Sequence, residues 1–168
     1  MNATAVWTED RCEVWCPTQN GESALAAAAA ASGLPQSQCD VHKISLGGGF
    51  GRRGGGDFVT QAVLIAKTMP GTPVKLLWTR EEDMLHGFYH PVTKARLTAG
   101  LDDDGNVEAL HVRISGQSIL ATLIPAALNR SGGLDPVVFQ ALAPEGDHAM
   151  SYSVPNLLVD HAMRNTHI

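Results

Sequence analysis

A chain of 168 residues with 44% apolar and 17% charged side chains is long enough to bury a core and too apolar to be disordered. Its net charge of −5, with no basic stripe beyond Arg52 and Arg53, argues against a nucleic-acid-binding surface. No apolar run approaches the roughly 20 residues needed to cross a bilayer. The alanine tract at residues 26–31 has no positive segment before it, so it is not a secretory leader.

Residues 4–7 and 11–15 read as two short strands around the polar turn Thr8-Glu9-Asp10. The three cysteines, Cys12, Cys16 and Cys39, form no disulfide framework and read as buried or partly buried free thiols. Cys12 and Cys16 could be written with His42 as half of a metal site, but the other half is missing. A loop from Pro17 to Gly21 leads into a helix over residues 22–32, favoured by its alanines and by Glu22 at the positive end, and stopped by Gly33 and Pro35. Residues 39–45 return as a strand. After a glycine-rich run, residues 57–69 show an apolar helical face of Phe58, Ala62, Ile65, Ala66 and Met69, ended by Pro70-Gly71.

Residues 74–78 form an apolar strand, and residues 79–83 a capped turn or short helix. Residues 93–101 and 107–115 alternate apolar and polar across Asp102-Asp103-Asp104-Gly105-Asn106, a second hairpin. From 119 to 151 the pattern weakens into an irregular excursion with one short helix, and residues 157–163 form a last strand. The order predicts an α+β fold: a two-layer domain over residues 1–168, with helices on one face of a mixed sheet. No ending signal precedes Ile168, so a fragment of a longer protein is expected.

The run Gly47–Gly56 (GGGFGRRGGG) holds seven glycines, Phe50, Arg52 and Arg53. Glycine loses more backbone freedom on folding than any other residue, so such a run is costly as scaffolding. It suits a place where main chain must come very close to something, or where amides converge on an anion. The arginines add forked positive charge suited to phosphate or carboxylate. The run points to a cofactor held largely by backbone.

Gly49-Phe50-Gly51-Arg52-Arg53-Gly54 also matches the dinucleotide fingerprint G-x-G-x-x-G. Against that reading, the preceding strand carries Asp40, His42 and Lys43, two further glycines delay the helix, and no acid lies about 20 residues on. No Lys-Ser or Lys-Thr follows for a triphosphate loop. A flexible linker fits poorly with Phe50 and two arginines inside it.

Other candidates are weaker. The acidic turn Asp102–Asp104 lacks the glycine and the closing glutamate of a calcium loop. His86, His90, His111, His148, His161 and His167 show no ligand spacing, and there is no nucleophile elbow. Glu81, Glu82, Asp83, Glu145 and Asp147 form no recognisable acid–base pair. Gln19 stands out, because an amide in a loop after an apolar strand can donate to a ligand oxygen.

Taken in order, Pro17-Thr18-Gln19-Asn20, Gly33-Leu34-Pro35, Gly47–Arg53, Pro73–Trp78, Thr79–Met84 and His90-Pro91 resemble the large, molybdenum-binding subunit of the molybdenum hydroxylases. That family includes xanthine dehydrogenase and aldehyde oxidoreductase. The GGGFGRR form, the hairpin at 100–109 and Val154-Pro155-Asn156-Leu157 look most like the isoquinoline 1-oxidoreductase beta subunit.

The resemblance implies a molybdopterin cofactor, as the cytosine dinucleotide in bacterial members, present in the full subunit and not retained by the fragment. It implies hydroxylation of an N-heterocycle, or oxidation of an aldehyde, with oxygen derived from water. Electrons would leave through a [2Fe-2S] partner subunit. By motif matching, Gln19 would hydrogen-bond an oxo group on the metal, and Gly48, Gly49, Phe50 and Gly51 would bring main chain to the cofactor. Arg52 and Arg53 would either steady the loop or meet its anionic groups. No residue of this chain is implied as a metal ligand, and the general base lies downstream in the family. Gly54 stands where xanthine-type members carry a substrate-contacting glutamate. The compartment is left open between bacterial cytoplasm and periplasm. The competing readings are a Rossmann-type dinucleotide domain and a non-catalytic assembly module.

Overall fold

The computed structural model describes residues 1–139, 142 and 150–164, which cluster into two compact units, Met1–Phe88 and Tyr89–Ile168. In the first unit, β1 (Asn2–Trp7) and β2 (Cys12–Cys16) form the predicted antiparallel hairpin. Thr8 closes its turn, its amide donating to the Arg11 carbonyl at 2.8 Å. Helix α1 (Gly21–Ser32) follows, then β3 (Cys39–Lys43), α2 (Asp57–Ala66), β4 (Val74–Leu77) and α3 (Arg80–Leu85). The sheet order is β3-β2-β1-β4. β2 and β3 run parallel, and the remaining pairs are antiparallel.

Local chemistry explains the helix limits. The Asn20 side chain accepts from the Ser23 amide at 3.1 Å at the start of α1. Gly33, at φ 79°, returns its amide to the Ala29 carbonyl at the end. The Lys67 ammonium then donates to the carbonyls of Ala31 and Ser32, satisfying groups that the helix end leaves orphaned.

One face of the sheet is covered. Ala3, Ala5, Cys12, Val14 and Cys16 alternate inward and meet Ala24 and Ala28 of α1 and Phe58, Val59, Ala62, Val63 and Ala66 of α2. The small alanines allow close approach: a Cβ on Gly56 would come within 2.6 Å of the Ala27 Cβ. The predicted face of α2 is correct at 58, 62 and 66. Ile65 and Met69, however, are 42% and 48% exposed, while Val59 and Val63 are buried. The helix is apolar on two adjoining stripes, and packing against the sheet selects one of them.

The second unit has its own sheet, ordered β5-β6-β7. β5 (Thr93–Leu101) and β6 (Val107–Gly116) are the predicted second hairpin, and β7 (Asn156–Met163) lies parallel to β6. The expected α+β, two-layer arrangement thus holds, but the strands divide between two sheets. Period-2 alternation marks a strand without saying which sheet it joins. All nine residues of β5 are exposed, and its outer edge has no strand beside it among the described residues.

Among the described residues of the excursion predicted over 119–151, two short helices stand where one was expected: α4 (Ile119–Leu123) and α5 (Pro125–Arg130). Asp135, wholly buried, anchors the start of α4. Its carboxylate accepts from the Ser118 hydroxyl at 2.6 Å and from the amides of Leu120 and Val137. Burial alone would raise its pKa, but these donors outweigh it and hold the carboxyl below the usual range.

Two outcomes follow. Asp135→Ala should cost about 2 kcal/mol in denaturant unfolding, because the donors lose their acceptor. With a depressed folded-state pKa, that advantage over the variant should be complete above the ordinary carboxyl pKa and fade as pH falls through the folded value. Separately, burial and then the neighbouring Cys39 thiol push the Cys12 thiol up to about 11, and burial raises Cys16. All three cysteines are buried and free, so at pH 8 a disulfide reagent should titrate them only after unfolding.

Candidate functional site

Parallel pairing of β2 and β3 sets the site, because it places the carboxyl ends of the two strands side by side. The ladder continues one step past them, the Ile44 amide donating to the Cys16 carbonyl at 3.3 Å. The loop at residues 17–20 and the glycine run at 47–56 therefore leave the sheet together. They touch through Gln19 and Gly49: a Cβ on Gly49 would overlap the Gln19 carboxamide. The Gln19 side chain occupies space that only glycine leaves free.

The run is an ordered loop. Gly48 has φ 144° and Gly51 φ 80°; Phe50, between them, has φ 50°, unusual for a residue with a side chain. The Phe50 ring is 86% exposed and lies over Gly48, where a Cβ would come within 2.7 Å of Cε2. Arg52–Gly54 make a single 3₁₀ turn, and α2 begins only at Asp57. The Rossmann reading fails on this point. The loop is not the first turn of a helix, and it follows an edge strand of a mixed sheet rather than the inner strand of a parallel one.

Both arginines turn back into the protein. The Arg52 Nη1 and Nη2 atoms donate to Asp57 Oδ1 and Oδ2 at 2.9 and 2.6 Å. Its guanidinium lies 5.5 Å from the Trp78 ring centre and 5.0 Å from that of Phe88. Burial would raise the Asp57 carboxyl, but Arg52 holds it below its usual range. Arg53 Nη1 donates to the Pro17 carbonyl at 3.1 Å and Nη2 to Asn2 Oδ1 at 3.0 Å. The Arg53 carbonyl accepts from the Gln19 amide and from the Thr18 hydroxyl, both at 3.0 Å. Of the two roles open from the sequence, the geometry supports steadying the loop.

Gln19, Gly48, Gly49, Phe50, Gly51, Arg52 and Arg53 are thus contiguous. Sequence reasoning missed Thr18, buried to 1% exposure, together with Asn2, Asp57, Trp78 and Phe88. Only Asp57 left a readable signal, an acid opening a helix five residues after an arginine.

The remaining candidates stay apart. Cys12 and Cys16 point into the core, whereas His42 is exposed on the opposite face, stacked on Trp15 at 4.8 Å. Among the described residues no group of three or more His, Cys, Asp or Glu could hold a metal. Asp102 turns inward on its own turn, accepting from the Asn106 side chain and from the Asn106 and Asp104 amides, which lower its pKa. His111 pairs with Asp160 at 2.8 Å. Glu145, Asp147, His148 and His167 lie outside the described residues. No helix among the described residues is long and apolar enough to cross a membrane.

Residues 1–132 match the family described as the molybdopterin cofactor-binding domain. The chain is 29% identical over 116 residues to the membrane-bound aldehyde dehydrogenase [pyrroloquinoline-quinone] of Gluconacetobacter polyoxogenes, a match covering 68% of this chain and 15% of that protein. It is 30% identical over 125 residues to the isoquinoline 1-oxidoreductase subunit beta of Brevundimonas diminuta, covering 74% and 16% respectively. Quinoline 2-oxidoreductase from Pseudomonas putida 86 shares the fold, with a TM-score of 0.52 at 23% identity over 70% of this chain and 15% of that one. The matched region thus spans about a sixth of these relatives.

Gly49→Ala should expel the Gln19 side chain from its seat, which a crystal structure of the variant would display. Gly51→Ala meets nothing within 4 Å, so its cost should be only the backbone strain at φ 80°, about 1–3 kcal/mol in denaturant unfolding, with Gln19 unmoved.

Proposed function

Because the chain belongs to the molybdopterin cofactor-binding domain family of the molybdenum hydroxylases, we propose that it forms part of the cofactor site of an oxidoreductase that hydroxylates N-heterocycles or oxidises aldehydes with water-derived oxygen. The observation that carries this reading is the seat of Gln19 on Gly49, at the adjoining carboxyl ends of β2 and β3.

The residues present fit the group. Around Gly47, Gly51 and Gly54 a Cβ would meet nothing within 4 Å, so bare main chain faces open space that a planar cofactor can approach. When bound, molybdopterin supplies a two-electron acceptor and a metal at which oxygen from water reaches the substrate carbon. Gly48, Gly49, Phe50 and Gly51 would line that approach with backbone. The Gln19 carboxamide would donate a hydrogen bond to an oxygen of the group, with little reorganisation because its loop is already held. Arg52 and Arg53 would serve by fixing the loop, since their terminal nitrogens are engaged by Asp57, Pro17 and Asn2.

The proposal extends to the cytosine dinucleotide form of the cofactor, a [2Fe-2S] partner subunit, and a general base from elsewhere in a longer subunit. Both units of this chain are taken as one piece of that subunit, with 119–151 as an excursion from it.

The test is to produce the intact parent protein with its partner and measure molybdenum content and dye reduction with an N-heterocycle or an aldehyde. Gln19→Ala should lower kcat on the order of 10²-fold while molybdenum content and assembly stay normal. Activity without molybdenum would sink the assignment. An assembly defect in Gln19→Ala would favour the non-catalytic module instead.

A further inference from the structure

We infer that Arg53 is the positioning residue for Gln19. Its main chain and side chain together grip three consecutive residues of the Gln19 loop. The Pro17 carbonyl accepts from Arg53 Nη1 at 3.1 Å. The Thr18 hydroxyl, buried with its residue, shares its proton between the Arg53 and Asn20 carbonyls, each at 3.0 Å. The Gln19 amide donates to the same Arg53 carbonyl at 3.0 Å. Residue 53 therefore holds Pro17, Thr18 and Gln19 directly, and the Thr18 hydroxyl carries the tie on to Asn20.

The grip has an outside reference. Nη2 reaches Asn2 Oδ1 at 3.0 Å, and Asn2 opens β1, an inner strand of the sheet. The Arg53 amide also donates to the Gly49 carbonyl at 3.3 Å. Gln19 and Gly49, the two sides of the contact, are thus both measured from one residue, which is referred to the sheet. The planar fork matters here, because it meets acceptors on two different elements at fixed spacing. A lysine is a single flexible charge and can serve one of them at full strength.

Arg52 does something different. Its partners, Asp57, Trp78 and Phe88, tie the glycine loop to later parts of the unit and leave residues 17–19 alone. The pair of adjacent arginines thus divides the work, with one fixing the loop and the other aligning the loop with Gln19.

The catalytic half of this inference rests on the role proposed for Gln19; the mechanical half does not. The test uses the intact parent protein with its partner. In Arg53→Met, hydrogen exchange across residues 18–20 should accelerate on the order of tenfold, with exchange in β5 and β6 unchanged. Arg53→Lys should recover part of that protection. In turnover, Arg53→Met should lower kcat, yet the Arg53→Met/Gln19→Ala double variant should be no slower than Gln19→Ala alone. Unmoved exchange at 18–20, or losses that multiply in the double variant, would overturn the inference. If Gln19→Ala turns over normally, the role of Gln19 fails, and the exchange data still decide the mechanical half. Should Arg53→Met not fold, Asn2→Ala removes one acceptor of the fork and carries the same exchange measurement.

Discussion

Two parallel neighbours, β2 and β3, make the rest of this arrangement necessary. Antiparallel strands would send their following loops to opposite ends of the sheet. Parallel ones release them at the same end, where the loop of Gln19 and the glycine run have to share space. The α1 crossover makes the parallel pairing possible, and its run of alanines lets it lie low over the strands. The sites of open α/β sheets rest on similar logic, with ligands received outside the carboxyl ends of the strands. Here one parallel pair within a mixed sheet is enough.

Much of this was readable from residues alone. Caps and stops gave α1 to within a residue, since Gly33 and Pro35 leave a helix no way to continue. The glycine run announced close approach, and the contact of Gly49 with Gln19 supplies one instance of it. Other features were hidden because they are long-range. Nothing local to Arg53 names Asn2 or Pro17 as its acceptors, and nothing in Thr18 says that its hydroxyl is buried. The partition of strands between sheets was equally silent, because alternation looks the same in either sheet. On α2, two apolar stripes competed, and tertiary packing chose the one with Val59 and Val63 over Ile65 and Met69.

The chain keeps its charged chemistry inside its own framework. Asp57 answers Arg52, Asp160 answers Arg113 and His111, and Asp135 is saturated by donors from its own excursion. What faces outward at the proposed site is main chain, one aromatic ring and one carboxamide. Neutral groups of this kind suit a cofactor that brings its own charge and reactivity, in keeping with the absence of a metal-ligand cluster among the described residues.

β5 carries a cost of its own. Nine exposed residues along a border that no strand covers among the described residues present amides and carbonyls of the kind that invite strand-by-strand aggregation. Lys94 and Arg96 sit on that border, and their like charges repel a second copy arriving in register. The chain thus carries its own deterrent to fibril growth along this margin.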